Sequence, residues 1–192
     1  MKKQFTFLIF IFSSICSAQN CIDWKLSKTF DFDIMAKSDD PSSLSKTRIV
    51  VKVFNKIKKI QLQTIVIESE SILTSKSYPC VNNNSYATDT FLKSVDNDFG
   101  DVIVVDFNFD GKEDVALKRE EGGNGGPLYN FYIQSENEQF ILDKYLSDEV
   151  AYFPYYIDSK EKTLSVRSRI NSVSNEEIKY LYNDRKQTWI RL

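Results

Sequence analysis

Apolar and polar residues along this chain alternate with a period of two much more often than with the helical period. Residues 47–54 place Ile49, Val51 and Val53 on one face, and residues 163–170 place Leu164, Val166 and Ile170 inward with Arg167 and Arg169 outward. Such alternation marks a strand with one buried face. The same reading predicts strands at 25–33, 60–68, 91–95, 102–105, 115–118, 129–134, 139–145, 152–157, 177–182 and 187–192. Residues 56–59 form a basic turn between two of them, and 183–186 a hairpin loop. Residues 37–45 and 82–89 read as loose connections, and 147–151 as one helical turn. The fold class is therefore all-β and antiparallel, about eleven or twelve short strands in a small propeller-like or sandwich architecture.

The first eighteen residues follow a different pattern. Lys2 and Lys3 precede an apolar run from Phe5 to Phe12, broken only by Thr6, and Cys16-Ser17-Ala18 offers small residues before Gln19. This is the layout of a secretory signal peptide cut before Gln19, leaving residues 19–192 as a single domain. Ile15 is too bulky for the position before a lipid-bearing cysteine, which disfavours attachment at Cys16. The expected location is periplasmic or extracellular. There cysteines tend to pair, and the mature chain keeps two, Cys21 and Cys80. A bond between them closes a long loop, worth on the order of 4 kcal/mol in the entropic model; the alternative is two free thiols.

Charge and composition exclude several functions. The leader takes two of the 25 basic residues and none of the 27 acidic ones, so the mature chain has 23 against 27, a net charge of −4. No basic excess is present to attract nucleic acid. There is no histidine, which removes Ser-His-Asp and Cys-His catalysis and histidine-ligated zinc. Glycines are unevenly placed. All six lie between Gly100 and Gly126, and Gly122-Gly123-Asn124-Gly125-Gly126 lacks the lysine of a phosphate loop and the spacing of a dinucleotide motif.

Within that glycine-rich region, Asp106-Phe107-Asn108-Phe109-Asp110-Gly111-Lys112-Glu113-Asp114 places oxygen-bearing side chains at positions 1, 3, 5 and 9 with glycine at position 6. Calcium takes six to eight oxygen ligands, and a chain that wraps it must turn sharply near the middle of the loop. Asp106, Asn108, Asp110 and Asp114 supply side-chain oxygens, and Lys112 its carbonyl. Leu117 stands where an EF-hand has its bidentate glutamate, and the flanks read as strands, so the expectation is a strand-loop-strand calcium site. The cofactor expected is Ca2+. Extracellular modules hold calcium with dissociation constants of about 0.1 to 1 mM.

Residues 104–115 resemble the calcium loops of FG-GAP and related β-propeller repeats. The longer run from the loop through Gly122-Gly123-Asn124-Gly125-Gly126-Pro127-Leu128-Tyr129-Asn130-Phe131-Tyr132 resembles a family of exported bacterial proteins similar to periplasmic lysozyme inhibitors. That family includes immunity proteins against lysozyme-like effectors of type IV secretion, and the likeness covers roughly residues 90–192. It implies an all-β fold, a structural calcium held by Asp106, Asn108, Asp110, Lys112 and Asp114, and a protein partner with a cleft. The contact segment it implies runs through Gly123, Asn124, Gly125, Gly126 and Tyr129.

Three functions compete. The first is a non-enzymatic exported binding protein, an inhibitor of a lysozyme-like peptidoglycan hydrolase, with calcium fixing the base of the glycine loop. The second is an envelope or surface adhesion module that recognises glycan or protein through exposed aromatics. The third is a glycan-active enzyme using Glu120 and Glu121 beside Tyr152-Phe153-Pro154-Tyr155-Tyr156. Adjacent glutamates on a strand point to opposite faces, which counts against the third.

Overall fold

The computed structural model describes residues 21–23, 25–38, 47–69, 83–94, 97–123, 125–169, 171 and 174–192. The expected leader at 1–18, Cys80 and Asn124 lie outside them, as does the side chain of Cys21, and so does the expected disulfide.

The described residues form thirteen strands in three sheets. The first sheet is β1 (Cys21–Asp23), β2 (Phe30–Ser38), β3 (Thr47–Asn55) and β4 (Gln61–Ser69), paired antiparallel in chain order. The second is β5 (Asn83–Ser85), β6 (Val102–Val105), β7 (Asp114–Glu120), β8 (Leu128–Gln134) and β9 (Phe140–Asp143). In it only β5 and β6 run parallel. The third is β10 (Tyr156–Asp158), β11 (Thr163–Arg169), β12 (Asn175–Asn183) and β13 (Thr188–Arg191), again antiparallel. The architecture is all-β and sandwich-like, as the period-two patterning predicts.

The second sheet is the middle layer. Its β6 is buried at all four positions and β7 at its first five, the pattern of strands covered on both sides. Val102, Val104, Val115 and Leu117 face the first sheet, where they meet Phe30, Phe32, Ile34, Ile49, Val51 and Val53. Ile103, Val105, Ala116 and Phe131 face the other way, toward Ile157, Leu164, Val166, Tyr180 and Trp189 of the third sheet. One sheet thus separates two cores.

The structure corrects several sequence boundaries. Residues 91–94 belong to no strand; Leu92 N–H donates to the Tyr155 carbonyl (2.8 Å) and Asp89 N–H to that of Ile157 (2.7 Å), which lays the segment beside β10 without a ladder. The expected strand at 152–157 starts only at Tyr156, because Pro154 has no N–H to give. Residues 83–85, read as loose, are β5. The strand read at 139–145 ends at Asp143, whose Oδ1 accepts from Leu146 N–H (2.9 Å) and starts one π-helical turn, Tyr145–Val150. No helix among the described residues is long and apolar enough to cross a membrane.

Candidate metal centre and glycine turn

β6 delivers the chain to Asp106 and β7 carries it away from Asp114, so the loop connects two neighbouring strands of the middle sheet. Gly111 sits at φ +81° and Phe109 at +62°; the glycine adopts this left-handed turn without strain. Side-chain oxygens bind the loop's own amides. Asp106 Oδ1 accepts from Asp110 N–H (3.2 Å) and Oδ2 from Gly111 N–H (2.9 Å). Asn108 Oδ1 accepts from Asp110 N–H (3.2 Å), and Asp110 Oδ1 from Lys112 N–H (2.9 Å). Asp114 is fully buried. One of its oxygens accepts from Phe107 N–H (2.8 Å) and Asn108 N–H (3.4 Å), the other from Gln134 N–H (2.8 Å).

The electrostatics of the loop oppose its charges. Burial pushes the Asp114 carboxyl up to about 8 against the pull of the Gln134 and Phe107 amides, and the charges of Asp106 and Asp110 add to the rise. Asp106 is also raised, by burial first, with the neighbouring Asp110 charge contributing. The donor set is hard oxygen, as calcium requires, and an oxygen that accepts one amide keeps a second lone pair. The side chains are not gathered round one point, however: among the described residues no group of three or more His, Cys, Asp or Glu is placed to hold an ion. Asp106, Asn108, Asp110 and Asp114, with the Lys112 carbonyl, fit the chemistry of a divalent ion.

The loop also joins the three layers, which its spacing does not reveal. Glu113, absent from the expected ligand set, reaches the first sheet: its carboxylate accepts from Ser27 Oγ (2.5 Å), Lys28 N–H (2.8 Å) and Thr29 N–H (3.2 Å). Phe109 reaches the third, packing against Tyr182 and Trp189 at ring-centroid distances of 6.5 and 6.2 Å. Within the middle sheet, the Lys112 ammonium meets Glu136 at 2.6 Å and Asp110 at 3.4 Å. One nine-residue connection therefore touches every sheet.

The glycine segment lies at the other end of β7. Asp114 is the first of the seven residues of β7, so the strand carries the chain about 20 Å from the loop at 3.3 Å per residue. Calcium therefore cannot fix the base of this segment by contact, and the turn is held by its own geometry. Gly126 N–H donates to the Gly123 carbonyl (3.3 Å). Gly122 has φ +60°, and a Cβ there would stand 1.9 Å from the Gly126 carbonyl oxygen. Gly125 lies against Tyr152, whose hydroxyl would be 2.5 Å from an added Cβ, and its carbonyl accepts from Asn97 Nδ2 (3.1 Å).

Only part of the expected contact surface faces outward. Gly123 is exposed with nothing near an added Cβ. Gly125 is half-buried and Gly126 buried. Tyr129 is fully buried, its hydroxyl donating to the Gly100 carbonyl (3.0 Å), so it offers no exposed surface. Beneath the same end, Lys118 is buried yet charged. Its ammonium lies 2.9 Å from both Asp98 and Asp101 and 3.9 Å from Glu121. Burial works against that charge, but Asp101 and Asp98 overcome it and hold the ammonium above its usual range. Glu120 pairs with Arg119 (3.2 Å), so Glu120 and Glu121 turn to different cations and do not form a carboxylate pair.

No protein-family model matches the chain, and no curated protein matches it. The chain is similar to a solved structure described as a Xanthomonas type IV secretion system related protein. The two share 16% identity over 90% of this chain and 97% of that one, with a TM-score of 0.48.

Proposed function

We propose that the chain is an exported, non-enzymatic binding protein whose three layers are braced by calcium at Asp106, Asn108, Asp110, Lys112 and Asp114. The observation that carries this reading is the placement of the loop: three carboxylates, two of them with raised pKa, sit at the connection that reaches all three sheets. A divalent ion there would favour the charged forms and stiffen the whole body. The loop's likeness to known calcium loops, set out above, supports the choice of ion. The absence of histidine and the separate pairing of Glu120 and Glu121 support a non-enzymatic role.

The partner on this reading is a protein with a cleft, a lysozyme-like peptidoglycan hydrolase. The exposed Gly123 side of the turn enters it, and Gly122 and Gly125 keep it narrow, since an added Cβ would meet the Gly126 carbonyl or Tyr152. A segment ordered before binding loses less entropy on association. The test is to mix the mature protein with a panel of lysozymes and other peptidoglycan hydrolases and follow muropeptide release. Slowing of at least one enzyme at near-stoichiometric ratio is expected, and it should be relieved by Gly123→Trp. If no enzyme is slowed and none binds, the inhibitor reading is wrong.

A further inference from the structure

The aromatic run at 152–156 splits in the structure. Phe153 enters the core, Tyr152 packs on Gly125, and Tyr155 and Tyr156 are half-buried and meet Phe91. Phe91 is 66% exposed. Its ring lies parallel to Tyr156 at 4.1 Å and 10°, with Tyr155 at 6.4 Å and 29°. A side chain so exposed, with one face covered by a parallel ring, leaves its other face open. The backbone on either side of Phe91 is anchored. Asp89 N–H and Leu92 N–H bind the carbonyls of Ile157 and Tyr155 on either side of it, and the Asp89 carboxylate accepts from Ser159 N–H (2.7 Å) and Ser159 Oγ (2.6 Å). Exposing a phenyl ring forfeits burial energy.

Charge narrows the occupant. The Arg167 guanidinium stacks 4.1 Å over Tyr155, but its Nε and Nη2 both donate to Glu177 Oε1 (3.1 and 3.0 Å). The platform thus has a balanced charge pair at its edge. Among the described residues Arg167 is the cation that stacks on these rings, and its pairing with Glu177 leaves no net positive charge at that edge to hold a phosphate chain, which the chain's net acidity also repels. What matches is a neutral ring with an apolar face to stack and hydroxyls that can both donate and accept. We infer that Phe91, Tyr155 and Tyr156, with Arg167 and Glu177 at the edge, form a saccharide-binding platform. This site is separate from the metal loop and is joined to the glycine turn through Asn97, whose Nδ2 donates to the carbonyls of Gly125 (3.1 Å) and Arg167 (3.3 Å), and its test does not depend on calcium or on a protein partner.

The mature protein is titrated with chitotetraose and with cellotetraose, following tyrosine fluorescence, and is sedimented with purified peptidoglycan sacculi. Saturable binding of at least one tetrasaccharide below about 10 mM is expected. Phe91→Ala should weaken it about tenfold or more with an unchanged melting temperature, and Phe91→Tyr, which keeps a flat ring, should retain it. Binding of chitotetraose but not cellotetraose assigns an N-acetylated sugar; the reverse assigns a plain glucan. No binding of either sugar or of sacculi to the wild type overturns the inference, as does wild-type binding by Phe91→Ala. Calcium and chelator should give the same affinity.

Discussion

Glu113→Ala tests whether the loop holds the layers together. The wild-type carboxylate accepts three hydrogen bonds from the 27–29 turn of the first sheet. Hydrogen bonds to a charged group are worth about 1.5 to 3 kcal/mol each when buried. The Lys28 and Thr29 amides lie at the surface and regain water, so they count for little. Ser27 is buried, but its oxygen also accepts from Phe30 N–H at 2.8 Å and Thr29 N–H at 3.0 Å, so its hydroxyl proton alone is orphaned. The expected loss is about 2 to 3 kcal/mol, or a fall in melting temperature of roughly 4 to 12 °C for a chain of this size. Glu113→Gln keeps the shape and one acceptor, and should lose about 1 kcal/mol. The control is the adjacent Lys112→Ala, which removes an ion pair to the 93% exposed Glu136 and should change stability by less than about 1 kcal/mol. Urea unfolding by circular dichroism, at constant m-value, measures all three. If Glu113→Ala falls within error of Lys112→Ala, the loop does not brace the sheets.

Two further outcomes follow from the site geometry. Gly122→Ala places a Cβ against the Gly126 carbonyl at positive φ and should cost about 2 to 4 kcal/mol, whereas Gly123→Ala, with open space around it, should stay within about 0.5 kcal/mol; denaturant midpoints of the two variants settle this. In the cation-free chain Asp114 is raised from 3.8 to about 8, so the folded state binds more protons than the unfolded state between those values. Its contribution is present below about pH 4 and is lost as pH rises toward 8. Urea midpoints in chelator should therefore fall across that window, and Asp114→Asn should flatten the fall.

Local patterning made much of the fold legible. Ile49, Val51 and Val53 read as a one-sided strand and are all buried on one face. Val102-Ile103-Val104-Val105 read as a short apolar run, and it is buried on both faces; which sheets cover it was not legible, because those contacts span long separations. The metal loop was visible since its residues are neighbours in sequence. Glu113 was not singled out, because its partners lie more than eighty residues away and nothing in its own segment marks them. Lys118 was hidden in the same way, as an ordinary cation on a strand whose acidic partners come from residues 98 and 101. Tyr129 was assigned to a contact surface because it follows the glycines, but strand alternation turns it inward, where its hydroxyl finds the Gly100 carbonyl. The expectation that calcium fixes the glycine turn failed for a related reason. Adjacent segments of sequence are separated in space by the full length of β7.

An ion bound between β6 and β7 is tested most directly by the melting temperature of the mature protein in 10 mM calcium, about ten to a hundred times the expected dissociation constant, against the same protein in chelator. Mass action then adds about 1.4 to 2.7 kcal/mol, a rise of roughly 3 to 10 °C, and Asp110→Ala should abolish it. Coincident melting curves in calcium and chelator, or an equal rise in Asp110→Ala, would contradict the claim.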